Sequence, residues 1–107
     1  MNGTWTGTMY HFPSGTTWTT VLEITQEAGS SEFSGSIQMT NQADPTSVDF
    51  FLIAGTLQGN HFQFHDTGTE VITMYFWGDV DGNSISGNLG LSCYDCSDML
   101  GELTLNR

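Results

Sequence analysis

Gly3-Thr4-Trp5-Thr6-Gly7-Thr8-Met9 decides the fold. Strict alternation puts Trp5, Gly7 and Met9 on one face, the two-residue period of a half-buried β-strand. Seven further stretches read as strands between turn signals. With the first at 3–11, they fall at 17–26, 32–40, 48–58, 61–66, 70–80, 84–92 and 99–107. None shows helical periodicity. The last ends on Arg107, the only basic side chain in the chain. A Trp on the first strand and an Arg closing the last point to a sheet that meets itself.

Two short repeats set the register. Gly55-Thr56-Leu57-Gln58-Gly59-Asn60-His61-Phe62 parallels Gly78-Asp79-Val80-Asp81-Gly82-Asn83-Ser84-Ile85. Each is a strand end, a Gly-Asn turn and a new strand, a tight-hairpin signal because Gly tolerates positive φ. Two-residue loops there make Leu57 face Phe62, Gly55 face Phe64, Val80 face Ile85 and Phe76 face Leu89. A one-residue slip would turn every side chain to the other face.

Propagated along the chain, this register gives one apolar face. It includes Trp5, Trp18, Leu22, Phe33, Ile37, Phe51, Ile53, Phe64, Met74, Phe76, Leu91 and Leu103, with Thr20 as its clear polar member and no titratable group expected. Glycines 7, 35, 55, 78, 87 and 101 share it, favouring sharp coiling of the strands. The expectation is all-β: a single domain over 1–107 forming a small eight-stranded antiparallel up-and-down β-barrel, with a β-sandwich as the alternative.

Composition narrows the function. Twelve acidic residues face one Arg, a net charge of −11 without a lysine. Lysine-based covalent catalysis is excluded. Contact with nucleic acid or an anionic membrane surface is disfavoured, because no cationic patch exists to make it. No apolar run is long enough to span a bilayer, and the N-terminus lacks the basic-then-apolar pattern of a signal peptide. No cofactor motif is present.

Gly3-Thr4-Trp5, eight up-and-down strands and Arg107 together resemble the calycin group, which includes the lipocalins, fatty-acid-binding proteins and avidins. The resemblance implies that Trp5 packs against Arg107 to close one barrel mouth by a cation–π contact. Phe33-Ser34-Gly35-Ser36-Ile37 is similar to the third strand of the avidins, with Ile37 where those proteins carry a biotin-holding Tyr.

Three functions follow as expectations. The first is non-catalytic binding of a small apolar or aromatic molecule, lined by Trp5, Trp18, Phe33, Phe51, Phe64 and Phe76. The alternative is an interaction module, homo-oligomeric, using an exposed patch of Phe50, Leu52, His65, Tyr75 and Trp77 with Val71 beside it. The third is a mouth-located cyclase or isomerase acting on a hydrophobic substrate. An enzyme is disfavoured, since no acid–base pair converges inside. His61 and His65 share an outward face but lie roughly 13 Å apart, too far to ligate one metal. Asp79-Val80-Asp81-Gly82-Asn83 resembles a calcium loop but places its Gly too early for an EF-hand. His11 is placed at a barrel rim near Ser14. Cys93-Tyr94-Asp95-Cys96 reads as a local disulfide, with free thiols as the alternative; a disulfide would favour a secreted or periplasmic setting. A zinc site there needs further ligands, and no second Cys pair supplies them.

Overall fold

A computed structural model describes residues 1–67 and 74–107. Eight antiparallel strands run up and down in sequence order and close into a barrel. They are β1 (Gly3–His11), β2 (Thr16–Gln26), β3 (Glu32–Asn41), β4 (Val48–Gln58), β5 (His61–Thr67), β6 (Tyr75–Asp81), β7 (Ser84–Gly90) and β8 (Gly101–Asn106). The barrel, not the sandwich, is the architecture. The expected start of strand six, with Val71, lies outside the described residues.

The Gly-Asn hairpins hold the expected register. Leu57 pairs with Phe62 and Gly55 with Phe64. Val80 pairs with Ile85 and Phe76 with Leu89. Gly59 and Gly82 take φ of 62° and 59° while the following Asn residues do not, the II′ pattern whose twist suits adjoining strands. Closure joins β1 to β8, with Gly7 opposite Leu105 and Met9 opposite Leu103.

The core is the inward face. Trp5, Leu22, Ile37, Phe62, Phe64, Phe76, Ile85 and Leu105 are fully buried, and so is Thr20, whose hydroxyl donates to the Trp18 carbonyl. Phe64 stacks on Phe76 at 4.7 Å between ring centroids and on Phe62 at 5.7 Å, and meets Phe33 edge-on. One end is closed as expected: the Arg107 guanidinium lies 4.7 Å from the Trp5 ring centroid. It also donates to the Asn2 carbonyl at 2.7 Å, while the Trp5 indole N–H donates to the Met1 carbonyl.

Two inward expectations are corrected. Leu91 is exposed, because β7 ends at Gly90 and Leu91 begins the connection to β8. The inward face also carries a titratable group. Asp66 continues the parity of Phe62 and Phe64 and is only 3% exposed. Burial of a carboxylate requires compensating donors, and the Met74 backbone N–H supplies one at 2.8 Å.

Candidate functional site

The six residues expected to line a pocket divide by depth. Trp5, Phe33, Phe64 and Phe76 are core side chains, packed as described above. Trp18 and Phe51 are half-buried and pack on the core from the end opposite Arg107, as Met74 does. The barrel's polar chemistry lies instead on its outer wall.

The connection from β7 to β8, residues 91–100, folds back along the outside of β5 and β6. Tyr94 reaches the outward His65, its hydroxyl and His65 Nδ1 sharing a hydrogen bond of 2.8 Å. Its ring meets Tyr75 edge-on at 5.0 Å. One residue on, Asp95 accepts from Gln63 Nε2 at 2.7 Å and pairs with His61 Nε2 at 3.0 Å. His61 Nδ1 pairs with Asp79 at 3.3 Å. The alternating His61, Gln63 and His65 of β5 thus form a polar ladder that Tyr94 and Asp95 climb. Asp95 holds φ of 56°, a conformation Asp tolerates better than most residues. Cys93 and Cys96 bracket the two gripping residues at disulfide distance, Cα 5.9 Å apart.

This loop corrects the expected exposed patch. Trp77 does point outward but is only 4% exposed. The turn into the loop covers it: Gly90 lies against the Trp77 ring where any side chain would intrude. His65 and Tyr75 are half-buried by the same cover. What stays open is β4, where Phe50 is 60% and Leu52 55% exposed, with Val48 exposed beside them. Phe50 and Leu52 border a surface concavity of about 510 Å³ with Glu23, Ser34, Ser36 and Thr67. A second concavity of about 490 Å³ adjoins it across Ala54 and reaches His65 and Tyr94.

The electrostatics tie loop to wall. Burial pushes the Tyr94 phenol up to about 12, reinforced by Tyr75 and the Asp66 charge, so Tyr94 stays a neutral hydrogen-bonding group. Burial acts to lower the His61 pKa, but the hydrogen bonds and charges of Asp95 and Asp79 outweigh it and hold His61 above its ordinary 6.5. A raised folded-state pKa gives a contribution that is complete below pH 6.5 and lost as pH rises through the raised value. Solvent screening limits each pair to about 1 kcal/mol or less. Amide hydrogen exchange of residues 91–100 is therefore expected to quicken several-fold from mildly acidic to alkaline pH, after correction for intrinsic exchange. His61→Ala abolishes that extra dependence. An identical profile in both proteins would show that the ion pairs do not hold the loop.

Several other features resolve simply. His11 Nδ1 hydrogen-bonds Ser14 Oγ at 2.7 Å within the β1–β2 turn. Asp79 is engaged by His61, and among the described residues no cluster of three ligands forms at Asp79–Asp81; the one such cluster is Cys93, Cys96 and Asp98. An exposed Tyr10–Phe12 pair, edge-to-face at 5.7 Å, escaped the sequence reading because Phe12 lies beyond the strand alternation. Asp66 was legible by parity with Phe64. The docking of Tyr94 and Asp95 carried no local signal. No protein-family model, curated protein or solved structure matches the chain.

Proposed function

We propose that this chain is a calycin-like barrel that acts without catalysis, as a module associating with a second copy of itself through the outer face of β4. The observation that carries this reading is the open stripe of Val48, Phe50 and Leu52. Adjacent exposed apolar side chains are the mark of an interface core rather than of scattered surface residues. A closed barrel has no unpaired sheet edge, so association has to run through side chains such as these. Across the strand pairs, Phe50 faces Gln38 and Leu52 faces Ser36 and Thr67, all uncharged. Glu23 lines the same concavity one strand further on, so two copies carrying −11 each would meet with carboxylates at the margin of the contact.

Sedimentation at several concentrations tests the reading. The wild type is expected to associate, and Phe50→Asp with Leu52→Asp to sediment as a monomer with an unchanged β-sheet spectrum. The substitutions leave the core untouched, so loss of the fold is not expected. A wild type that stays monomeric across the range would end this reading.

A second reading rests on Trp18 and Phe51, partly open at the end away from Arg107. It is binding of a small apolar molecule at that mouth. Saturable binding of an apolar fluorescent probe, lost in Phe51→Trp, would support it; no saturation would remove it.

A further inference from the structure

We propose that the Cys93–Asp98 loop, once its sulfurs are reduced, binds one zinc ion through the Cys93 and Cys96 thiolates and the Asp98 carboxylate. This site is separate from the β4 face and independent of the function proposed for it. The two Sγ atoms and a carboxylate oxygen of Asp98 lie within 4.8 Å of one another. Tetrahedral zinc, with Zn–S of about 2.3 Å and Zn–O of about 2.0–2.2 Å, spaces its ligand atoms roughly 3.5–3.8 Å apart. The cluster therefore needs only small side-chain movements once the sulfurs are free to separate. The Cys-x-x-Cys spacing is the usual one for two sulfurs chelating a single zinc. The third protein ligand missing from the sequence pattern is supplied by Asp98, two residues beyond the pair. Water completes the shell.

Two further observations favour an ion here. The Ser92 hydroxyl donates to Asp98 Oδ2 at 3.1 Å. It orients the carboxylate while leaving the other oxygen for a metal, the usual role of an outer-shell partner. The loop is also already fixed. Tyr94 is held by His65, and Asp95 by His61 and Gln63, so the barrel, not the metal, bears the ordering cost. The net charge of −11 raises the local concentration of cations.

The chemistry balances. A dithiol reductant opens the Cys93–Cys96 bond by exchange, itself becoming a cyclic disulfide, and both protein sulfurs are released as thiols. Zinc then displaces one proton from each thiol, so affinity rises with pH. An oxidised pair has no thiolate to offer, so disulfide and zinc exclude each other.

The test uses the full chain, oxidised or reduced with a dithiol that is then removed under anaerobic conditions. Zinc is titrated against a colorimetric chelator. One zinc per reduced chain is expected, with none above background in the oxidised form. Asp98→Asn keeps both sulfurs and sits on the surface, so it reads the carboxylate alone, and its affinity should fall at least about 10-fold. Cobalt should give a thiolate charge-transfer band in the reduced wild type that Cys93→Ser loses. Equal zinc in the oxidised and reduced forms, or wild-type affinity in Asp98→Asn, would overturn the proposal.

Discussion

Phe64→Ala is expected to lower the unfolding free energy by about 3–5 kcal/mol, the range for deleting a packed aromatic ring. Phe64 is fully buried near the middle of β5, where it touches three other rings: Phe76, Phe62 and Phe33. Its strand partner on β4 is Gly55, which has no side chain to lean into the vacated space. The three remaining rings are fully or almost fully buried, so collapse around the gap would strain each of them. A small domain has about 5–15 kcal/mol in total, so the variant should be marginal and melt tens of degrees lower. Urea unfolding followed by the β-sheet signal measures the loss. The result also bears on function. A loss under about 1 kcal/mol would mean that Phe64 borders open space rather than packed side chains. That would revive a ligand pocket inside the barrel at the expense of association through β4.

The two halves of the molecule differed in how far the sequence could be read. Strand number, order, closure and register were legible because each depends on local rules. Gly59-Asn60 and Gly82-Asn83 fix two hairpins, and side-chain parity carries the register outward from them. The Trp5–Arg107 contact was implied by the resemblance to the calycin group; the two residues alone pointed only to closure of the sheet. The outer wall was not. Parity told that Trp77 points away from the core, but pointing outward is not the same as being exposed. What covers Trp77 is a connection whose path is set by hydrogen bonds between distant residues: Tyr94 to His65, and Asp95 to His61 and Gln63. None of these pairs has a sequence spacing that announces it. Phe50 and Leu52 were placed outward by the same parity and are exposed; among the described residues no connection crosses β4. Asp66 is the opposite case, where parity with Phe62 and Phe64 was available but a buried carboxylate ran against expectation.

Gly35→Ala is expected to cost about 1–3 kcal/mol, as overpacking a close contact does, although adding one methyl to a strand glycine usually helps. By restricting the unfolded chain, Gly to Ala contributes about 0.4–1 kcal/mol of stability where the native backbone can accept it. At Gly35 the backbone conformation is ordinary and the obstacle is space. An added Cβ would press into the Glu23 carbonyl oxygen of β2 and stand 3.2 Å from the Ile24 Cα. These are main-chain atoms, so no rotamer change relieves the clash and β2 must move away from β3. In an open sheet an outer strand can shift freely. Here β2 is paired to β1 and β1 to β8, so the displacement passes around a closed ring. Gly29→Ala is the control. Gly29 has nothing within 4 Å of an added Cβ but holds φ of +80°, so only the left-handed backbone strain of roughly 1–2 kcal/mol applies. The two variants separate by breadth of effect. Gly29→Ala should leave hydrogen exchange in β1 and β8 unchanged, whereas Gly35→Ala should quicken it across β1, β2 and β3. Gly35→Ala as stable as wild type would mean that β2 and β3 do not approach this closely. The tight coiling attributed to the inward glycines would then have to come from elsewhere.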